Sequence, residues 1–193
     1  CVSDSPDVEA VVLGPSGVIE GAKAGAAVID CSTISPAVAR SVGAALAVQG
    51  VAFLDAPISG GDIGAKAGTL AIMVGGEATD YERCLPVFEA MGKTIVHVGP
   101  SGAGQVVKLC NQVAGGLNLL AMAEAVTLSR QAGVDPAKML EVVSQGAAAS
   151  WMLENLGPRA ASGDFAPGFM VDLMQKDLRL VSETAAETTT VLP

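Results

Sequence analysis

Aromatic residues are scarce in this chain, with four Phe, one Tyr and one Trp among 193 residues. Its core must therefore be built from Ala, Val, Leu, Ile and Met. Histidine is scarcer still: His97 stands alone, which argues against a histidine-based metal site or a Ser-His-Asp triad. His97 lies inside an expected strand and reads as structural. The four cysteines, Cys1, Cys31, Cys84 and Cys110, fall singly, without CxxC or other metal-ligand spacing. No metal is expected, and isolated thiols without a signal peptide point to a reduced, cytoplasmic protein. Basic residues are also few: 11 Lys and Arg face 20 Asp and Glu, a formal charge of −9. Phosphate backbones need clustered cations, so no nucleic-acid partner is expected. No apolar run reaches the roughly 18 residues of a membrane span, so no membrane partner is expected either.

What the chain does hold is apolar mass: 50% of residues are hydrophobic and 16% charged, enough for an ample core. Ser5-Pro6-Asp7 reads as N-cap, first-turn proline and first-turn acid of a short helix through Leu13. The run Ala27 to Asp30 is a buried-strand signature. Ser35-Pro36 opens a helix over residues 37–48, and Val51 to Asp55 is a second strand. Residues 56–68 read as a long Gly-rich loop. A strand over residues 70–74, a helix over 79–91 and a strand over 94–98 follow. Helix and strand in alternation point to an α/β layering with a parallel sheet. Strand signals stop near Gly99.

Beyond that point an apolar stripe at Val106, Cys110, Val113, Leu117, Leu120 and Val126 has helical spacing. A helix over residues 102–132 would be roughly 45 Å long at 1.5 Å per residue. Shorter helices over residues 136–144, 151–161 and 172–186 complete the chain. Gly115 and Gly116 inside the long helix each cost up to about 1 kcal/mol against alanine, which points to another helix packed close by. The expected fold is thus α/β followed by all-α: a partial Rossmann-type, doubly wound sheet domain over residues 1–100, and a helical domain over residues 101–193 built on one long central helix.

Two polar stretches stand out. Ser59-Gly60-Gly61 follows directly on a strand and can present a hydroxyl and main-chain N–H groups to a carboxylate. Lys108, Asn111 and Gln112 sit at i, i+3 and i+4 on the long helix, so they share a face. An anion cradle on the sheet domain together with a lysine on the helical domain would suit hydride chemistry, in which the lysine gives a proton to a developing alkoxide or takes one from an alcohol.

Three ordered motifs carry a resemblance. Asp-Ala-Pro-Ile-Ser-Gly-Gly with Gly-Thr-Leu (from Asp55 to Leu70), Gly-Ala-Gly-Gln-Val-Val-Lys-Leu-Cys-Asn-Gln (from Gly102 to Gln112) and Pro-Gly-Phe with Lys-Asp-Leu (from Pro167 to Leu178) resemble the β-hydroxyacid dehydrogenases. That family includes 3-hydroxyisobutyrate dehydrogenase, tartronate semialdehyde (2-hydroxy-3-oxopropionate) reductase and glyoxylate/succinic semialdehyde reductase. The resemblance implies an NAD- or NADP-dependent oxidoreductase interconverting a small β-hydroxyacid and its semialdehyde. Lys108 would be the general acid/base, and Ser59, Gly60 and Gly61 would hold the substrate carboxylate. Thr33 would lie near the nicotinamide ribose and Phe169 against the nicotinamide. Lys176 would approach the cofactor, with Asp177 beside it. The family often has asparagine four residues after the lysine, where this chain has Gln112; Asn111 comes one position earlier, so the substrate contact falls to either amide.

The chain departs from the family pattern in lacking a Gly-x-Gly-x-x-Gly turn between a strand and a helix. It reads as an internal piece of a longer enzyme, with an unpaired sheet edge and exposed apolar surface. The longer form is expected to self-associate. Two other readings stay open. One is an oxidative decarboxylase like 6-phosphogluconate dehydrogenase, although that group tends to carry Lys-x-x-His-Asn where this chain has Lys108-Leu-Cys-Asn111. The other is a non-catalytic oligomeric scaffold of the same fold. Within the family, Gly68-Thr69-Leu70 and Pro167-Gly-Phe169-Met170 lean toward the tartronate semialdehyde reductase branch.

Overall fold

Local capping chemistry sets the first elements of the computed structural model, which describes residues 1–166 and 168–192. Helix α1 (Ser5–Leu13) is capped by Asp4 rather than by Ser5, in a reciprocal capping box between Asp4 and Asp7, with Pro6 in its first turn. A short α2 (Val18–Gly21) follows, which the sequence pattern had not signalled. Strand β1 (Ala27–Asp30) leads to α3 (Pro36–Ala47), capped by the Ser35 hydroxyl, and then to β2 (Ala52–Asp55). Phe53 and Leu54 are successive residues of β2 and enter different apolar clusters. Phe53 packs with Val8, Val12, Val42 and Leu46, whereas Leu54 packs with Leu70, Ile72, Val74 and Phe88. Both faces of β2 are therefore covered, as in a doubly wound sheet.

The expected loop over residues 56–68 is mostly regular structure. Ile58–Ser59 form β3 and Gly61–Ala67 form α4, with Lys66 paired to Asp62 one turn earlier at 3.0 Å. Strand β4 (Leu70–Gly75), helix α5 (Ala78–Met91) and strand β5 (Gly92–Gly99) follow. The sheet has five strands and is mixed rather than parallel. Strands β1 and β2 pair in parallel from Ala27 opposite Ala52 to Asp30 opposite Asp55, and β4 pairs with β5 in parallel. Between these two pairs, β4 runs antiparallel to both β2 and β3. The reversal follows from β3 and α4, which turn the chain back on itself before β4 begins. His97 on β5 stacks on Tyr81, with ring centroids 5.2 Å apart, and its Nε2 lies 2.8 Å from the Gly76 carbonyl.

The chain divides into two compact units, Cys1–Cys110 with Val171–Pro193 and Asn111–Met170. Helix α6 (Ala103–Gln131) contributes its first turns to the first unit and the remainder to the second. The last helix, α10 (Val171–Glu187), belongs to the first unit with the sheet. In the second unit Met122 and Val126 of α6 pack with Leu140 and Leu153 from α7 (Pro136–Val143) and α8 (Trp151–Asn155). The single helix expected over residues 151–161 is broken at Leu156, and Gly157-Pro158 begins α9 (Gly157–Ser162). A Cβ placed on Gly115 would meet the Met152 methyl at 3.6 Å, so a helix does pass close there. By length and composition α6 is apolar enough to cross a membrane, with a mean hydropathy of 1.2 over its most apolar window. Its opening turns nevertheless bury Gln105 and Lys108 in the sheet-bearing unit.

Candidate active site

Asp55 ends β2 with a carboxylate that is fully buried. A charge there needs donors, and the start of α6 supplies them. The main-chain N–H groups of Gly102 and Gln105 donate to Asp55 Oδ1 and Oδ2 at 2.7 and 3.1 Å. Burial pushes the Asp55 carboxyl above its usual range, and these hydrogen bonds pull it part of the way back. Gly104 permits the approach. A Cβ on it would lie 2.5 Å from the Asp55 carbonyl oxygen and also collide with that of Met73. The helix N-terminus is in this way fastened to the carboxyl end of β2.

One turn into that helix lies Lys108, buried to 8% exposure. Its Nζ donates to the Ile58 carbonyl at 2.8 Å. That contact brings the lysine against the segment Ser59-Gly60-Gly61. Gly60 has φ +129° and Gly61 has φ +62°, so the turn between β3 and α4 relies on backbone conformations that side chains rarely adopt. Gly60 and Gly61 are exposed and Ser59 is half-buried. Loss of hydration lowers the Lys108 pKa from its ordinary 10.5; Asp177 opposes this and Lys176 adds to it.

Lys176 and Asp177 come from α10. Lys176 Nζ lies 2.7 Å from Asp177 Oδ1 and donates to the Thr33 carbonyl at 2.6 Å. Thr33 follows the end of β1, and its neighbours are held by α6. Gln105 accepts at Oε1 from Ile34 N–H at 3.0 Å and donates from Nε2 to the Ser32 carbonyl at 2.9 Å. The first compact unit therefore gathers Lys108, the Ser59–Gly61 turn, Thr33, Lys176 and Asp177. The remaining expected site residues lie in the second unit. There Asn111 Nδ2 donates to Gln112 Oε1 at 2.8 Å, and Phe169 is 54% exposed. Pro167, which opens the third motif, lies outside the described residues.

Sequence reasoning gave no role to Asp55 or Gln105, although both fall within the motifs. The apolar stripe through Val106, Leu117 and Leu120 pointed to a different face of α6, which is exposed, whereas the face that carries Gln105 and Lys108 is buried. Among the described residues no group of three or more His, Cys, Asp or Glu side chains is placed to hold a metal ion.

Comparison with known proteins extends over the whole chain. Residues 1–99 match the family model described as the NAD binding domain of 6-phosphogluconate dehydrogenase, and residues 102–193 match that of the NAD-binding region of NADP-dependent 3-hydroxyisobutyrate dehydrogenase. An uncharacterised oxidoreductase of Synechocystis sp. is 52% identical over 185 residues, 96% of this chain. The 2-hydroxy-3-oxopropionate reductase of Escherichia coli is 41% identical over 192 residues, 100% of this chain. The 3-hydroxyisobutyrate dehydrogenase of Mycobacterium tuberculosis, solved with L-serine, superposes with a TM-score of 0.89 at 35% identity and covers the whole chain. The chain spans 64% and 66% of the lengths of the first two relatives, and 67% of the third. With its two halves matching successive NAD-binding models and its fold shared throughout, the chain belongs to the β-hydroxyacid dehydrogenase family.

Proposed function

We propose that the complete protein is a cytoplasmic, self-associating oxidoreductase. It would use NAD or NADP to interconvert a small β-hydroxyacid and its semialdehyde, without a membrane or nucleic-acid partner. The observation that carries this reading is the 2.8 Å hydrogen bond from Lys108 Nζ to the Ile58 carbonyl. It sets a desolvated ammonium against a turn rich in anion donors.

The donor set at the carboxyl end of β1 fits the nicotinamide half of a dinucleotide. The Thr33 hydroxyl and the Lys176 ammonium suit ribose hydroxyls and a carboxamide, whereas a pyrophosphate would need a Gly-rich turn of a kind this chain does not contain. The bound cofactor supplies or accepts the hydride. The chain's own groups handle charge and protons. The Ser59 hydroxyl and the N–H groups of Gly60 and Gly61 receive the substrate carboxylate. Lys108 holds a proton at Nζ and passes it to the aldehyde oxygen as that oxygen becomes an alkoxide, or removes it from the alcohol in reverse. The Ile58 carbonyl occupies one Nζ proton and so aims the others. Asp177 counters part of the burial that lowers the Lys108 pKa.

The named relatives support the substrate class. 2-Hydroxy-3-oxopropionate and L-serine both carry their oxygen function on the carbon β to a carboxylate, the arrangement that a carboxylate cradle beside a proton donor would read. Gly68-Thr69-Leu70 leans the choice toward 2-hydroxy-3-oxopropionate. The decisive experiment assays the complete gene product for nicotinamide oxidation with tartronate semialdehyde, methylmalonate semialdehyde, succinic semialdehyde and glyoxylate, in wild type and Lys108→Ala. Collapse of turnover in the variant with cofactor binding retained supports the reading. Turnover that survives the substitution removes Lys108 from the chemistry. A folded, cofactor-binding wild type inert to every substrate would return weight to the scaffold alternative.

A further inference from the structure

Gln105 is fully buried, and both ends of its side-chain amide are used. Oε1 accepts from Ile34 N–H at 3.0 Å and Nε2 donates to the Ser32 carbonyl at 2.9 Å. These are the two main-chain groups that bracket Thr33. For one amide to meet both, they must turn to the same side, as they do along an extended strand pairing with a neighbour. The side chain thus imitates a strand's peptide group. In that pattern the carbonyl of Thr33 itself turns the opposite way, where Lys176 Nζ meets it at 2.6 Å. The Thr33 segment is thus held by both α6 and α10.

Gln105 is also fixed at its own main chain, where its N–H donates to Asp55 Oδ2 at 3.1 Å. Three residues later on the same helical face comes Lys108, held at 2.8 Å from the Ile58 carbonyl. A single residue therefore ties the end of β1, the end of β2 and the lysine-bearing turn together. We propose that Gln105 is a positioning residue that fixes the spacing between the Thr33 segment and Lys108, and hence between bound nicotinamide and the proton-transferring group. The inference rests on the dehydrogenase reading for the roles of Thr33 and Lys108, though not for the clamp itself.

The test uses the complete gene product with Gln105→Met, which keeps the length of the side chain and removes both hydrogen bonds, and Gln105→Glu. For Gln105→Met the dinucleotide KM is expected to rise and kcat to fall, each by about tenfold, as suits two lost buried hydrogen bonds. The KM for the carboxylate substrate should stay within about twofold, because the Ser59–Gly61 turn is untouched; a variant that merely unfolds in part would lower kcat alone. Gln105→Glu reads the donor separately. Its carboxyl is buried and so titrates above the ordinary range. Protonated, it can still donate to the Ser32 carbonyl; ionised, it sets an anion against that oxygen. Its dinucleotide KM should therefore approach wild type at acid pH and worsen as pH rises. A folded Gln105→Met with wild-type kcat and dinucleotide KM overturns the proposal. Amide hydrogen exchange at Ile34, measured without substrate, tests the clamp independently of turnover. Exchange about tenfold faster in Gln105→Met upholds it, and equal protection overturns it. If wild type turns over no substrate, the dehydrogenase reading fails and the exchange result alone decides the role of Gln105.

Discussion

Lys108 points its ammonium at the main-chain carbonyl of Ile58, 2.8 Å away, and at 8% exposure it has little water to share. One neutral acceptor, even with the charge of Asp177 nearby, does not replace the hydration of a full charge, and burial outweighs Asp177 in the net lowering of the Lys108 pKa. Lys108→Met should accordingly abolish turnover and yet raise stability at neutral pH, by on the order of 1 kcal/mol, the scale seen when buried charges give way to apolar isosteres. Urea denaturation of the two proteins at pH 7 checks it, and a Lys108→Met protein less stable than wild type would contradict it.

The same burial gives that stability a pH dependence with a definite sign. The folded-state pKa of Lys108 lies below 10.5, so between those two values the unfolded chain binds more protons than the folded one. Stability contributed by this group therefore rises with pH through the window and is lowest beneath it. Subtracting the Lys108→Met denaturation curve from wild type across pH 7 to 10 should reveal a positive slope. In catalysis the oxidative direction needs the free amine, so its rate should climb through the same window, and Lys108→Ala should lose that limb.

Asp55 offers a sharper structural test. Its buried carboxylate is the acceptor for two main-chain donors at the start of α6. Asp55→Ala leaves both in the interior with no replacement, at a cost of about 2–4 kcal/mol. The urea midpoint reads this directly. Activity in the surviving folded fraction should fall as well, because the turn that carries Lys108 loses its anchor.

Two glycines should respond to alanine for opposite reasons. At Gly104 the new methyl carbon would sit 2.5 Å from the Asp55 carbonyl oxygen, and main chain cannot step aside, so a loss of about 3 kcal/mol or more is expected. At Gly61 there is open space within 4 Å but φ is +62°, and the cost should be about 1 kcal/mol of backbone strain. Melting curves of the two variants should separate clearly, with Gly104→Ala far lower.

Much of this architecture was legible in residue order. Ser5-Pro6-Asp7 and Ser35-Pro36 announced helix starts, and the stripe from Val106 to Val126 announced α6, since caps and periodicity are local physics. Residues 56–68 read as a loop because glycines stand at Gly60, Gly61, Gly64 and Gly68, although Asp62 favours a helix start and Ala65 and Lys66 are helix formers. Strand direction was not legible either. Whether β4 runs with or against β2 depends on the path taken by β3 and α4, a tertiary matter that no periodicity encodes. Lys108 and Ser59 could be paired through family resemblance. The work of Asp55 and Gln105 stayed hidden because their partners are main-chain groups, which every residue has and no motif displays.

The junction between β2 and β4 rests on a single residue pairing, Asp55 with Gly75. On either side of it stand two parallel strand pairs, each closed around its own crossover helix. Such a sheet has a seam. The main-chain ladder is almost interrupted there, and side chains span the gap instead, Leu54 packing with Leu70, Ile72 and Val74. Because Asp55 is at once the seam's bridging residue and the fastening of α6, a change that opens this pairing would also release the lysine-bearing turn.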